Sequence, residues 1–334
     1  MNLTKKNKTF IVAEIGNNHE GSFSVAKKLI NAAAKCNVDA VKFQTFIPEL
    51  YVSKKDKKRF KMIKKFQLSF SQFKKLAIYA KKKKLIFFST PLDLESAKYL
   101  NSIQSVFKIA SGDNDFLPLI KKISGFNKEI ILSTGLANLK HIRKIKNLIY
   151  NVWKKNNYKG QLSLLHCVSS YPVKTSEANL SFIKVLKKSF KSCIIGYSDH
   201  TEGISASIVA VSLGAKIIEK HFTLDKNFSN FRDHKISANP KEMKNMVNQI
   251  RKVELLMGNE KKEIQNSEKK NLKSMRRSIV AKKNIYKGEK IRLDDISWIR
   301  MYGGISPGNE NKIINKKSLI NIVAGEKIRI SKLK

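Results

Sequence analysis

The sequence predicts an α/β fold, with an eight-stranded parallel barrel followed by a small C-terminal domain. The first observation is a series of short apolar runs bounded by turn-forming residues, as buried strands require. The runs are 10–15, 40–44, 85–89, 106–110, 130–133, 162–167, 193–197 and 216–221. Most lack strict polar alternation, which indicates burial on both sheet faces. Eight strand–helix units within roughly 260 residues are typical of a TIM barrel. An open doubly wound sheet is the alternative, because a strand count does not prove closure.

Segments with helical spacing of apolar residues lie between these runs. The first covers 25–33 after two potential caps, Ser22 and Ser24, and the second covers 73–80 and would open at Ser71. Further helical segments are expected at 142–153, 180–186, 204–211 and 243–250. This alternation of strand and helix is what parallel strands need, because each crossover must return the chain to the same end of the sheet.

The composition divides the chain into three parts. We predict a barrel over 1–260, a linker over 261–275 and a small domain over 276–334. The linker is strongly charged and has no apolar periodicity. In the last part, 278–281 and 298–300 have the composition of strands. A unit of this size is marginal alone and gains from packing against something larger.

The formal net charge is +41, from 67 Lys and Arg against 26 Asp and Glu, which raises the question of a nucleic-acid partner. The lysines are spread over nearly every predicted helix, and no nucleic-acid motif accompanies them. We therefore predict no nucleic-acid partner and a field that attracts anionic substrates. No apolar run reaches the length of a membrane span or of a signal peptide, so we expect no membrane partner and a cytoplasmic location.

Two histidines end neighbouring predicted strands, His200 after the seventh and His221 on the eighth. Active sites of parallel barrels lie at the carboxyl ends of the strands. A pair of imidazoles there is typical of a metal site with positions open for substrate. Local hydrogen bonds would explain either histidine alone, but the pair in this repeating context favours the site.

Lysines and hydroxyl residues accompany other strand ends. Lys42 and Gln44 are two residues apart and share a face, and Lys108 lies on the fourth strand. Hydroxyl side chains follow at Thr90 and Ser133. Each of these alone is explained by a turn, a helix cap or a solvated lysine. Together they compose a phosphate-binding site.

The strand-end motifs, in order, resemble those of the sialic acid synthases, which include N-acetylneuraminate synthases and the related legionaminic and pseudaminic acid synthases. They are AEIGNNHEG at 13–21, VKFQT at 41–45, STP at 89–91, FKIASGD at 107–113, LSTG at 132–135, LHC at 165–167, YP at 171–172, GYSDH at 196–200 and EKHFT at 219–223. The C-terminal segments RRSIVA at 276–281, KGE at 287–289 and GISP at 304–307 resemble the antifreeze-like SAF domain, a β-clip fold.

The resemblance implies condensation of phosphoenolpyruvate (PEP) with an open-chain N-acylated amino sugar, such as N-acetylmannosamine, to give a nonulosonic acid and phosphate. Legionaminic or pseudaminic acid synthesis is the alternative. A different PEP-dependent 3-deoxy-sugar acid synthase and a non-catalytic nucleic-acid-binding protein are weaker alternatives. The resemblance also implies a divalent ion, Mn²⁺ or Mg²⁺, and a domain-swapped homodimer in which the SAF domain covers the partner's site.

The resemblance implies roles for individual residues. For PEP they are Lys42, Gln44, Thr90, Lys108, Ser111, Ser133 and Ser198. For the metal they are His200 and His221, and for the sugar Glu14, Tyr171, Asp233 and Arg300. The implied catalytic residues are Glu14 and Asp113, and Asp113 would orient the water that adds to PEP.

Three features of the sequence depart from the family pattern. Asp113 stands where many members have Glu, and its alternative role is to cap a helix beginning near Phe116. Phe231 and Arg232 replace the usual Gly-Pro before Asp233. In the SAF domain, alignment on the GISP motif selects Arg300 for the partner's sugar, whereas alignment on the preceding tryptophan selects Met301.

Overall fold

The structure, a computed structural model, describes residues 8–334. It divides into two compact units, of which the first ends at Gly258 and the second runs from Asn259 to Lys334. The first unit contains the eight predicted strands, all parallel to their neighbours. They are β1 (Phe10–Gly16), β2 (Ala40–Thr45), β3 (Ile86–Pro91), β4 (Val106–Ile109), β5 (Glu129–Ser133), β6 (Leu162–Cys167), β7 (Ile194–Asp199) and β8 (Ile217–His221).

Helices connect these strands and cover the sheet from outside. They are α1 (Phe23–Lys35), α2 (Pro48–Tyr51), α3 (Lys57–Phe66), α4 (Phe70–Lys82), α5 (Leu94–Leu100), α6 (Leu117–Ser124), α7 (Leu139–Lys155), α8 (Phe182–Ser189), α9 (Ser205–Ser212), α10 (Arg232–Ile236) and α11 (Pro240–Met257). The buried apolar faces of most of these helices pack on the outward side chains of the strands in one continuous core, whereas α2 and α3 contribute to a separate small cluster. None of the helices in residues 8–334 is long and apolar enough to cross a membrane.

The strand order is β3-β2-β1-β8-β7-β6-β5-β4, and its two ends, β3 and β4, lie side by side. The sheet therefore closes into a TIM-like barrel, which confirms the predicted fold over the open-sheet alternative. In the part of the chain that the structure describes, no backbone ladder joins β3 to β4. Instead the buried carboxamide of Gln104 accepts from the Ser89 N–H at 2.8 Å and donates to the Ser89 carbonyl at 3.1 Å.

Two layers of side chains fill the barrel interior. The first is a cluster of apolar residues: Phe10, Val12, Ala40, Phe88, Val106, Ile131, Leu165 and Ile217. We call the second the polar layer, and it consists of Glu14, Lys42, Thr90, Lys108, Ser133, Cys167, Ser198 and Glu219, all buried. Residues two apart on a strand face the same side, so the polar layer stands directly beyond the apolar one, at the carboxyl ends of the strands.

Two predicted helix starts are corrected. Ser69 caps α4 in place of Ser71, because its hydroxyl accepts from the Gln72 N–H at 3.3 Å while the Gln72 side chain accepts from the Ser69 N–H at 2.7 Å. Ser22 caps α1, and Ser24 lies inside the helix. Helix α3 was not predicted, because its many basic residues obscure a short apolar stripe.

The second unit contains the antiparallel pair β9 (Arg277–Ala281) and β10 (Ile296–Arg300). Its core is built mainly from isoleucines: Ile279, Ala281, Ile285, Ile291, Ile296, Ile313, Ile322, Ile328 and Leu333. The segment predicted as a linker carries two single-turn helices, α12 (Asn266–Lys269) and α13 (Leu272–Met275). Each has only four residues, too few to show an apolar period, and neither would be stable alone.

Candidate functional site

A cavity of about 200 Å³ opens at the carboxyl ends of the barrel strands. Its lining brings together most of the residues singled out in the sequence: Glu14, Lys42, Gln44, Thr90, Lys108, Ser111, Ser133, Tyr171, Ser198, His200 and His221. All eight strands or the loops that directly follow them contribute. The position is the one at which barrels of this class build active sites.

The end of β1 places a carboxylate beside a lysine. Glu14 Oε1 lies 2.9 Å from Lys42 Nζ, and both side chains are almost fully buried. Gly16 has a φ of +52°, and a Cβ there would come within 3.2 Å of Glu14 Oε1, so glycine lets the strand turn away beside the carboxylate. Burial raises the pKa of Glu14 to about 7, against the opposing effect of Lys42.

Two buried lysines converge on the cavity. Lys42 Nζ lies 3.2 Å from Thr90 Oγ1, and Lys108 Nζ donates to Ser133 Oγ at 2.7 Å. Burial lowers the pKa of Lys108, whereas for Lys42 the neighbouring carboxylates outweigh burial and raise the pKa. Two ammonium groups with hydroxyl neighbours suit a phosphate or a carboxylate.

Glu219 is the central carboxylate, and the site assignment from the sequence omitted it. Its oxygens lie 3.6 Å from Lys42 Nζ and 3.9 Å from Lys108 Nζ, and Oε1 accepts from Ser198 at 2.9 Å. Burial raises its pKa, but the two lysines lower it further, so the net shift is downward. Its position two residues before His221 was the available signal, because both share the inward face of β8.

Ser169 was also missed. Its hydroxyl is buried at the cavity wall and has no hydrogen-bond partner within the described part of the chain. A Cβ on Gly135 would lie 2.4 Å from Ser169 Oγ and 2.8 Å from Ser111 Oγ, so only glycine fits between these two hydroxyls. Ser169 lies in a loop, where no spacing rule indicates the direction of a side chain.

The rings of His200 and His221 are 5.4 Å apart at their centroids. His200 Nδ1 lies 2.8 Å from the Val168 carbonyl oxygen, to which it donates, and this leaves Nε2 with a lone pair. Burial, followed by the charges of His200 and Lys42, holds the pKa of His221 well below its usual range, and its buried Nδ1 lacks a hydrogen-bond partner among the described residues. Both imidazoles lie on one cavity wall, and in their neutral forms they would fit a divalent metal ion.

The two histidines would not complete a coordination sphere alone. Within residues 8–334 no group of three or more His, Cys, Asp or Glu side chains has the arrangement of a metal site. A metal held here would therefore take its remaining ligands from substrate or water, as open catalytic sites do.

Two of the residues expected for the sugar, Tyr171 and Asp233, lie beside the histidines. The Tyr171 ring lies 4.2 Å from that of His200, and the Arg232 guanidinium lies 4.8 Å from the Tyr171 ring centre. Asp233 Oδ2 is 4.0 Å from His221 Nδ1, and Oδ1 is 3.4 Å from Arg232 Nε. Burial raises the pKa of Asp233 although Arg232 opposes it.

Asp113 is half-buried in the 3-10 turn that follows β4, next to the cavity-lining Gly112. Burial raises its pKa to about 6, although Lys108 opposes the shift. It does not cap α6: Phe116 is the N-cap residue there, and no side chain among the described residues caps the helix. Arg300 ends β10 in the second unit and is exposed.

The sequence matches known protein families and characterised relatives over most of its length. Residues 29–262 match the NeuB family, and residues 276–334 match the SAF domain. The N,N'-diacetyllegionaminic acid synthase of Campylobacter jejuni is 43% identical over 96% of this chain and 99% of its own length. The pseudaminic acid synthase of the same species is 31% identical, covering 98% of this chain and 97% of that protein.

A solved structure of a sialic acid synthetase has a similar fold. The N-acetylneuraminic acid (sialic acid) synthetase of Leptospira borgpetersenii, crystallised with citrate, shares 35% identity and superposes with a TM-score of 0.74. The alignment covers 79% of this chain and 90% of that one. The resemblance to sialic acid synthases is thereby confirmed. The chain belongs to the NeuB family, whose members are PEP-dependent condensing synthases, and it ends in a SAF domain.

Proposed function

We propose that this sialic-acid-type synthase condenses PEP with an open-chain N-acylated amino sugar, forming a nonulosonic acid and releasing phosphate. The observation that carries the proposal is the polar layer. Lys42 and Lys108 meet Glu14 and Glu219 in a buried cavity beside a histidine pair. Buried charges are costly unless they serve a ligand or one another, and here the lysines can exchange their carboxylate partners for an anionic substrate.

The acceptor class is N-acetylmannosamine and its diacetamido-6-deoxy relatives. Sequence identity to the legionaminic acid synthase is 43%, against 31% for the pseudaminic acid synthase, each over nearly the whole chain. This difference favours 2,4-diacetamido-6-deoxymannose over the altrose isomer. It is therefore tested as an acceptor together with N-acetylmannosamine.

In the proposed mechanism, Lys42 and Lys108 neutralise the phosphate and carboxylate of PEP, and the hydroxyls of Thr90, Ser133 and Ser198 donate to their oxygens. These donors are held by the barrel strands before substrate arrives, so little reorganisation accompanies the reaction. Gln44 accepts a hydrogen bond from Asn17 at 2.9 Å and keeps its amide donors on the cavity side.

His200 and His221 would hold Mn²⁺ or Mg²⁺, which, when bound, supplies Lewis-acid polarisation of the acceptor aldehyde. The Val168 carbonyl fixes the His200 ring so that Nε2 is available. Tyr171, Asp233 and Glu14 then orient the sugar on the open side of the histidines.

Carbon 3 of PEP attacks the aldehyde carbon, which forms the new C–C bond. Glu14, with a pKa of about 7, holds a proton in part of the molecules near neutral pH and can give it to the former aldehyde oxygen. Water adds to carbon 2 of PEP as Asp113 takes its proton. The tetrahedral intermediate then breaks the carbon 2–oxygen bond to phosphate, and the carbon 2 hydroxyl gives its proton to the departing phosphate, which leaves the keto acid.

The direct test is to incubate the purified protein with PEP and three acceptors: N-acetylmannosamine, 2,4-diacetamido-6-deoxymannose and 2,4-diacetamido-6-deoxyaltrose. Product mass and phosphate release are measured together. We expect one acceptor to yield the condensed acid with equal phosphate. PEP left unconsumed with every acceptor, in the presence of Mn²⁺ or Mg²⁺, would contradict the proposal.

We also propose the domain-swapped homodimer that the family resemblance implies. Supporting it, the second unit leaves Trp298, Ile299 and Tyr302 exposed on either side of Arg300. Exposed aromatic and apolar groups beside an arginine are typical of interface residues. Truncation after Glu260 should raise the acceptor KM. Light scattering should then give the mass of a monomer of the truncated chain and not that of its dimer. A fully active monomer would contradict the assembly.

A further inference from the structure

A partly buried polar network lies beside Asp233. It consists of Glu20, Thr223, Ser229 and His234, and we call it the Glu20–His234 network. His234 follows Asp233 directly in α10 and is fully buried. Its Nδ1 lies 2.7 Å from Thr223 Oγ1, and its Nε2 lies 3.2 Å from Glu20 Oε1. Both ring nitrogens therefore have partners on other segments.

The hydrogen bonds fix the ring in one orientation. Burial raises the pKa of Glu20, but hydrogen bonds from Ser229 and His234 and the charge of Lys65 lower it further, so the net shift is downward and the carboxylate is ionised. An ionised carboxylate only accepts, so His234 Nε2 carries the hydrogen of that bond. The rings of Phe228 and Phe231 lie 5.2 Å and 6.0 Å from the imidazole and restrict its rotation.

The network joins segments that are far apart in the chain. Glu20 sits in the loop after β1, with a left-handed φ of 44° that its contacts must stabilise. Ser229 donates to Glu20 from the long loop after β8, and Lys65 of α3 lies 3.5 Å from the same carboxylate. These contacts tie the loop after β8 to the loop after the neighbouring strand β1 and to α3.

Helix α10 needs this support. It has five residues, too few to be stable alone, and no side chain in residues 8–334 caps its N-terminus. Asp233 and His234 are neighbours in it and point to different sides, Asp233 toward His221 and His234 into the network. The position of the Asp233 carboxylate therefore depends on where His234 is held.

We propose that Glu20 and His234 are positioning residues that set acceptor affinity by holding Asp233, without touching either substrate. The inference rests on the proposed function, in which Asp233 contacts the sugar. PEP binding should be independent of the network, because Lys42 and Lys108 are fixed by strand ladders rather than by α10. A selective change in acceptor KM is the expected mark of this role.

The experiment measures KM for each substrate and kcat in Thr223→Val, Glu20→Gln and His234→Gln. We expect acceptor KM to rise about tenfold in each, the consequence of one lost hydrogen bond of the network, while PEP KM stays within about twofold. Lys65→Ala is the matched control. It removes an exposed partner of the same carboxylate, and its kinetics should match the wild type.

A double-mutant cycle tests whether the effect passes through Asp233. In an Asp233→Ala background, Glu20→Gln and Thr223→Val should no longer change acceptor KM, because the carboxylate they position is gone. Additive effects, equal rises in both KM values, or wild-type KM values in all three variants would overturn the proposal. Calorimetry with PEP shows whether each variant is folded. Thr223→Val, the mildest change, carries the test if His234→Gln does not fold.

Failure of the proposed function gives a different result. In that case the wild-type protein itself consumes no PEP with any of the three acceptors. If only the positioning role is wrong, the wild-type protein still turns over its substrates, but the variants show no selective rise in acceptor KM.

Discussion

The two layers inside the barrel stand on the same strands, and both are buried, yet their chemistry is opposite. Ile131 and Ser133 of β5, two residues apart, illustrate the contrast. Burial of the apolar layer stabilises the fold by about 25 cal/mol per Å² of apolar surface. Burial of the polar layer costs desolvation, which pairing of its charges offsets only in part. The barrel thus concentrates stability in one layer and reactivity in the next.

The largest effect should follow from removal of the proposed metal, whose two histidine ligands lie at the strand ends just beyond the polar layer. Chelator-treated enzyme, or His200→Ala, should lose activity by about a thousandfold, since a Lewis acid contributes several kcal/mol to the transition state. Mn²⁺ or Mg²⁺ should restore the chelated wild type. The fold should be retained, because the apolar layer is untouched. Full turnover in metal-free enzyme would contradict the histidine assignment.

A pair of substitutions on β5 separates the layers directly. Ile131→Ala should lower the free energy of unfolding by about 3 kcal/mol through the cavity it leaves, with little change in PEP KM. Ser133→Ala should lower stability by only about 1 kcal/mol, yet raise PEP KM several-fold, because it removes the partner of Lys108. Denaturant unfolding and steady-state kinetics on both variants check this. The contrast between the layers is wrong if both variants change mainly the free energy of unfolding, or both change mainly the PEP KM.

The lysines of the polar layer should determine the affinity for PEP and not the affinity for the sugar. Lys42→Ala and Lys108→Ala should each weaken PEP binding by about thirtyfold, equivalent to about 2 kcal/mol for a charge-assisted contact. Calorimetry measures this, with Lys83→Ala, an exposed lysine beyond α4, as the control. Unchanged PEP affinity in both cavity variants would remove the phosphate site.

The smallest effect concerns pH and Asp113, at the edge of the polar layer. Burial raises its pKa from 3.8 to about 6, so the base form, and with it the rate, should rise by about tenfold per pH unit below 6 and level above it. Between about pH 4 and 6 the folded state holds a proton that the unfolded state has lost, so stability should fall as pH rises through this window.

Asp113→Asn should lower kcat and remove both pH dependences. Because the PEP phosphate also titrates near pH 6, the ratio of variant to wild-type rates at each pH isolates the carboxyl group. An Asn variant with nearly full activity would exclude the catalytic role of Asp113.

Local patterns predicted the strands and much of the site. The alternation that buries Ala40 also turns Lys42 inward, so strand and site residue came from one periodicity. What the patterns missed is non-local. The contact between Glu20 and His234 joins positions more than two hundred residues apart, and no spacing rule connects them. Helix α3 was missed because its lysines resemble a solvated loop, although its apolar residues pack beneath the long loops of the barrel mouth.

The closure of the barrel by Gln104 has a dynamic consequence. Rotation of that one side chain frees the N–H and the carbonyl of Ser89 together, whereas opening any other junction requires breaking a strand ladder. Hydrogen exchange at the Ser89 amide should therefore be faster than at amides within the ladders. Thr90 follows Ser89, and Lys108 lies on β4, the strand that faces β3 across this junction. Transient opening between β3 and β4 would therefore be the first to bring solvent to the buried ammonium groups.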